Sequence, residues 1–244
     1  MWLRPDWPAP SNVLALSTTR FGGRSIAAFR GLNLGDHVGD HPELVAANRA
    51  IVQQRLPADA QIQWLSQVHG TTVLNLPLSE AAAAPEADAS YSNQPQQFCA
   101  VMTADCLPLL LCDVAGREVA AVHAGWRGLC DGIIEQAVTG FSADANQLLA
   151  WLGPAIGPSC FEVGAEVRQA FIDKQAAAAS AFTRQHNGKY LADIYALARR
   201  RLQAIGVSQI YGGDLCTVSD PSRFYSYRRS GTTGRQASLI GLLR

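Results

Sequence analysis

Nine short runs rich in β-branched and aromatic residues, at positions 13–19, 61–68, 71–76, 98–103, 107–112, 119–123, 148–152, 208–211 and 236–242, dominate the chain and limit what it can fold into. Glycine and proline punctuate the segments between them, with no low-complexity linker and no repeat at a solenoid or propeller period. Helical spacing is scarcer. Asp40 with Glu43 reads as a capping box opening a helix to about position 56. Apolar residues at 126, 129, 133, 134, 137 and 138 give a second helix, and two more are read at 163–173 and 192–205. Strands arriving in clusters between single helices predict an α+β fold of mixed β-sheets flanked by helices, not a regular Rossmann alternation. With no boundary signal, residues 1–244 are expected to form one domain. The alanine-rich patch at 80–87 reads as a surface loop.

Composition narrows the partners. Apolar residues make up 48% and charged residues 16%, the balance of a packed globular enzyme and not of a disordered chain. Twenty basic residues cancel twenty acidic ones, so no overall field attracts nucleic acid or an anionic membrane, and a small-molecule partner is expected. The opening MWLRPDWPAP, broken by three prolines, lacks the apolar stretch of a signal peptide. No apolar run approaches the roughly 20 residues of a membrane helix. Six scattered cysteines show no disulfide framework, so the expected location is a reducing cytoplasm.

Three segments place a metal-competent side chain beside glycine or proline: Gln67-Val-His69-Gly70, Ala104-Asp-Cys106-Leu-Pro108 and Val122-His123-Ala-Gly125-Trp-Arg127-Gly128. Each reads as the end of a strand, where rigid scaffolds present functional groups. Two imidazoles and a thiolate suit zinc and leave the fourth tetrahedral position open, as catalytic zinc requires. The same set suits copper, with Met102 as an axial ligand, but five histidines are too few for a multicopper cluster. It also suits a metal-free cysteine hydrolase, with Cys106 as nucleophile, His123 or His69 as base and backbone amides near Gly125 as oxyanion hole. Spacing alone leaves these readings open, together with a non-catalytic metal-binding module.

Basic, glycine-rich segments supply candidate substrate and phosphate contacts: Arg127 at a helix start, Arg20 and Arg24 in TTRFGGRS, and Asn33 in NLGDH. These segments read equally well as tight turns with solvated arginines. Asp105 is the candidate general acid. The C-terminal FYSYRR and GTTGR stretches combine aromatic and basic side chains and read as the rim of a nucleoside-sized site or as a sheet edge.

Taken together, ADCLPLLLCD, AAVHAGWRGL, WLGPAIGPSCFEVG and FYSYRRSGTTGR, with QVHG and STTRFGG upstream, resemble the YfiH family over nearly the whole chain. The resemblance implies a YfiH-like fold and a metal held by His69, Cys106 and His123. It further implies phosphorolysis of adenosine, inosine and S-methyl-5′-thioadenosine to base and (methylthio)ribose-1-phosphate, with deamination of adenosine to inosine. Family descriptions as a laccase-like, copper-dependent polyphenol oxidase and as a peptidoglycan editing factor stand beside this. Deamination suits an open metal position at which water is activated for attack on C6 of adenine.

Overall fold

The protein is described by a computed structural model covering residues 2–78 and 84–244. Half of the alanine-rich patch, residues 80–83, lies outside the described residues; Glu86, in its other half, bridges to Ser66.

The first half of the chain runs β1 (Trp2–Leu3), β2 (Val13–Thr18), α1 (Pro42–Gln53), β3 (Gln61–Gln63), β4 (Val73–Leu76), β5 (Ala89–Ser92) and β6 (Gln97–Thr103). Next come β7 (Leu107–Asp113), β8 (Val119–Ala124), α2 (Trp126–Asp131), α3 (Ile133–Thr139) and β9 (Leu148–Leu152). The remainder is β10 (Glu162–Val163), α4 (Ala165–Lys174), β11 (Phe182–Arg184), β12 (Tyr190–Ala192), α5 (Ile194–Ala204), β13 (Gln209–Gly212), α6 (Tyr227–Ser230) and β14 (Gln236–Leu242).

The strands assemble into a five-stranded sheet, β1-β2-β14-β6-β3, a six-stranded sheet, β13-β9-β7-β8-β5-β4, and a small β10-β12-β11 sheet. Both large sheets mix parallel and antiparallel pairs. Their strands read as continuous apolar runs because both faces are covered, and the period of two sorts the residues between faces. Along β6, Phe98, Ala100 and Met102 face Val52 and Leu56 from around α1, while Cys99 and Val101 face the other sheet. Along β7, Leu110 and Cys112 meet that inter-sheet core, while Leu107, Leu109 and Leu111 pack toward the helices with Leu129, Ile133 and Leu197. The result is a layered arrangement in which α1 covers one sheet and α2 to α5 the other. This is the α+β fold of mixed sheets flanked by helices that the sequence predicts. No helix among the described residues is long and apolar enough to cross a membrane.

Several local expectations change. The run at 61–68 is strand only to Gln63, so His69 stands on a loop. The run at 126–138 is two helices, because Gly132 takes a left-handed φ of 105° between α2 and α3. The expected capping box at α1 does not form. His41 is the N-cap residue and makes no side-chain cap bond, with Pro42 setting the first helical position. Asp40 is committed elsewhere: its Oδ2 accepts from Ser25 Oγ at 2.5 Å and from Asn33 Nδ2 at 2.8 Å in a buried polar cluster.

Candidate metal centre

Strand register builds the centre. In the β7–β8 pair Pro108 lies opposite His123 and Leu107 opposite Ala124, so Cys106, just before β7, falls beside Gly125, just after β8. In the β5–β8 pair Ala89 lies opposite Val122, and the His123 amide donates to the Asp88 carbonyl at 2.7 Å. Asp88 therefore stands next to His123, where its buried side chain gathers the third element. Its Oδ2 accepts from Gly70 N at 2.6 Å and Val68 N at 3.2 Å, and its Oδ1 from His69 N at 2.9 Å. These bonds hold His69 at a positive φ of 61°, a conformation that needs such enforcement in a residue with a Cβ. Gln67 pins the same loop from the other side, donating to the Met102 carbonyl at 2.8 Å and accepting from its amide at 2.7 Å.

The ligand atoms of His69, Cys106 and His123 lie within 4.8 Å of one another, and the three could hold a metal ion. Cys106 Sγ is 3.9 Å from His69 Nε2. Tetrahedral zinc, with bonds of about 2.3 Å to sulfur and 2.0–2.1 Å to nitrogen, needs such a pair roughly 3.5 Å apart, a contraction of a few tenths of an ångström. His123 Nδ1 donates to Asp88 Oδ1 at 2.7 Å, which fixes the ring and leaves Nε2 for a ligand, the usual carboxylate support for a ligating imidazole. The donor set fits zinc. Electrostatics prepare it: burial alone would raise the Cys106 thiol, but the adjacent His123 and His69 rings bring it down to about 6. Burial would lower His123, yet the Cys106 thiolate and the Asp88 carboxylate raise it to about 9. Each charge favours the other, so without metal the pair leans toward thiolate and imidazolium, and ligation through His123 then releases its proton.

Gly125 leaves no spare volume. A methyl group there would lie 2.8 Å from His69 Cδ2 and 3.3 Å from Cys106 Sγ, although its φ of −62° suits any residue. Gly125→Ala is therefore expected to keep the fold and weaken metal binding by about tenfold or more, measured by competition with a chromogenic chelator. Unchanged affinity would mean that the rings yield freely.

Two clefts, of about 290 and 270 Å³, meet at the triad and share His69, Ala104, Cys106 and Tyr227. The first adds His37, Gln67, Met102, Thr103, His123 and Arg235. The second adds an apolar wall from Trp126, Ile156, Phe161 and Ile194, edged by Arg127 and Arg228. The sequence-predicted contacts divide accordingly. Arg127 is at the second cleft, its guanidinium 4.5 Å from the Trp126 ring centroid. Arg20 is outside both: it donates to the Pro221 and Arg30 carbonyls and lies over Tyr225. Arg24 is exposed and lines neither cleft.

Asn33 is buried, its side chain bonded to Asp40, to both backbone groups of Gly35 and to the Arg235 amide. Asp105 borders the second cleft, but its carboxylate accepts from Thr217 Oγ1, Ser226 Oγ and the Arg228 amide, which makes it a brace between loops. Sequence reasoning missed Asp88 and Thr103. It did flag the segments carrying His37, Gln67, Tyr227, Arg228 and Arg235, without separating the lining residues from their neighbours.

Residues 14–243 match the model of the family described as multi-copper polyphenol oxidoreductase laccase. The purine nucleoside phosphorylase YfiH of Shigella flexneri is 56% identical over 239 residues, covering 98% of both chains. The protein of the same name from Escherichia coli K12 is 55% identical over the same shares. The crystal structure of Neisseria meningitidis protein NMB0706 superimposes with a TM-score of 0.95 at 49% identity, covering 100% of this chain and 99% of that one.

Proposed function

This chain belongs to the multi-copper polyphenol oxidoreductase laccase family, whose members include the YfiH proteins, and we propose that it is a zinc-dependent purine nucleoside phosphorylase. The observation that carries the reading is the meeting of a His69–Cys106–His123 metal triad with an apolar, aromatic cleft, in a chain whose relatives bear the phosphorylase name. Adenosine, inosine and S-methyl-5′-thioadenosine are its substrates, yielding free base and the corresponding sugar-1-phosphate. Trp126, Phe161, Ile156 and Tyr227 surround the purine, where aromatic faces reward stacking by about 1–3 kcal/mol per base. Arg127 and Arg228 edge that cleft as polar contacts, Arg228 being held in place by its bonds to the Glu162 and Cys160 carbonyls.

In phosphorolysis an oxygen of hydrogen phosphate bonds to C1′ of the sugar while the C1′–N9 bond breaks. The electron pair leaves on the purine, which takes up the proton of the phosphate. When bound, zinc supplies a Lewis-acid position that polarises the substrate and activates water for deamination of adenosine to inosine. Asp88 keeps His123 oriented, and Asp105 keeps the 217 and 226–228 loops against the cleft.

The family's description as a multi-copper oxidoreductase favours copper oxidation as the second reading. Only five histidines are available, and among the described residues His69, Cys106 and His123 form the one candidate metal group, too few donors for a multicopper cluster.

Adenosine turnover with and without inorganic phosphate tests the proposal. Zinc-loaded protein is expected to release adenine and ribose-1-phosphate only when phosphate is present. Equal release in its absence, or oxygen consumption with a phenol and no nucleoside turnover, contradicts it.

A further inference from the structure

The first cleft has an unusual charge inventory. No aspartate or glutamate lines it, while Arg235 and His37 do. Arg235 is half-buried just ahead of β14, and Nη1 donates to the Thr233 and Gly234 carbonyls. Among the described residues no carboxylate lies within ion-pair distance of its guanidinium, although Arg49, Arg201, Arg223 and Arg244 each have such a partner. Burial and the neighbouring Arg235 hold His37 below its ordinary pKa, against the pull of Asp36, whose Oδ1 is 3.5 Å from His37 Nδ1.

A second observation is independent of charge. Thr103, only 2% exposed, lines the same cleft, and its Oγ1 is buried with no hydrogen-bond partner. Buried hydroxyls without partners are rare and costly, and a cation held without a counter-charge is costlier still. A tetrahedral oxyanion answers both at once, taking the guanidinium fork on two oxygens and, once the Thr103 side chain turns toward the cleft, the hydroxyl on a third.

We propose that this cleft, built by Arg235, Thr103 and His37, is the binding site for inorganic phosphate, across the triad from the apolar cleft that takes the purine. The assignment rests on the phosphorylase reading for its role in turnover, but the anion site itself stands on the geometry. It replaces Arg20 and Arg24, which the structure places elsewhere, as holders of phosphate. The arrangement puts the nucleophilic oxyanion and the base on opposite sides of His69 and Cys106, which line both clefts. A sugar spanning the junction then receives the phosphate on the face of C1′ opposite the departing purine.

Calorimetric titration of the zinc-loaded protein with inorganic phosphate, alongside steady-state kinetics in phosphate and adenosine, tests this. Arg235→Gln is expected to raise the phosphate Kd and KM about 100-fold, and Thr103→Val about tenfold, with zinc content and adenosine KM within about twofold of wild type. Arg235→Lys, which keeps the charge and loses the fork, is expected to recover part of the loss. Thr103→Val conserves shape, so it reads the hydroxyl even if removal of Arg235 disturbs the Thr233–Gly234 turn. Phosphate parameters unmoved in both variants, or a change confined to adenosine KM, would overturn the proposal. A titration with adenosine 5′-monophosphate separates the sources of the anion: if the nucleotide, and not inorganic phosphate, depends on Arg235, the proposal fails. Phosphate bound through Arg235 and Thr103 without base release would instead sink the phosphorylase reading and leave the anion site standing.

Discussion

Cys106→Ala is expected to yield a folded protein that retains no zinc after dialysis and turns over adenosine at least about 1,000-fold more slowly than wild type. Cys106 sits in the β6–β7 connection, partly exposed, with its sulfur turned to the two rings and not to the inter-sheet core. Losing it removes little packing, so the thermal midpoint of the metal-free protein is expected to move little. What disappears is the only sulfur ligand and the negative charge that holds His123 protonated before metal arrives. Cys160→Ala serves as the comparison. That thiol is also partly exposed, but it contacts Ser159 and Ser219 and lies outside the triad, so its removal is expected to leave zinc content and turnover intact. A cysteine nucleophile acting without metal predicts a different pattern, in which Cys106→Ala abolishes turnover but chelation of wild type does nothing. The two are told apart by measuring zinc and rate on the same samples.

Asp88→Asn is the second large effect, and it acts without touching substrate. Asp88 is fully buried, with Oδ1 shared by His69 N and His123 Nδ1 and Oδ2 shared by Val68 N and Gly70 N. All four partners are N–H donors. An asparagine must turn its own NH₂ toward one of these pairs, so donors face donors whichever way the amide points. The expected outcome is a 10–100-fold loss in zinc affinity, as for other supports of ligating histidines, with about 1–3 kcal/mol of lost stability from the unsatisfied groups. The pH dependence has a defined sign. Burial opposes ionisation of Asp88, but the bonds from His123, Gly70 and His69 outweigh it and hold its pKa below the ordinary value. Its contribution to stability is therefore present above the unfolded carboxylate pKa and is lost as pH falls through the folded one. Wild type is expected to lose stability in that acidic window, and Asp88→Asn to show a flatter profile there in urea titrations.

How much of this was legible in the sequence follows from which forces leave a local trace. Long strands covered by both a sheet and helices, such as β6, β7 and β14, stand out as apolar runs, and their positions are read to within a residue or two. β5 was missed because Ala-Ser-Tyr-Ser carries no β-branched residue; its strand state comes from pairing with β4 and β8, a tertiary fact. The run at 61–68 was over-extended for the converse reason. Leu65 is buried and Ile62 and Trp64 pack against the core, but the backbone leaves the ladder so that Asp88 can collect three successive amides.

At the site, Cys106 and His123 were visible through the Pro and Gly beside them, and register in the β7–β8 pair is what brings them together. Asp88 left no trace, since a carboxylate accepting backbone amides looks in sequence like any polar residue beside an alanine-rich loop. The arginines show the limit most clearly. Arg20, Arg24, Arg127 and Arg235 are all found in glycine-rich surroundings, and Arg20 and Arg235 both donate to carbonyls, so only the fold distinguishes the one outside both clefts from the one that lines a cleft. Asp105 was singled out for being next to Cys106, yet its carboxylate is turned away to bind Thr217 and Ser226.

A single metal titration separates zinc dependence from its alternatives. Protein is stripped with a chelator, zinc is added back stepwise, and phosphate-dependent adenine release is followed at each step. The expected result is no release from stripped protein and a linear recovery that ends at about one zinc per chain, with protons liberated as His123 becomes a ligand. Full activity in protein shown to be free of zinc, or recovery that requires copper and not zinc, would contradict it.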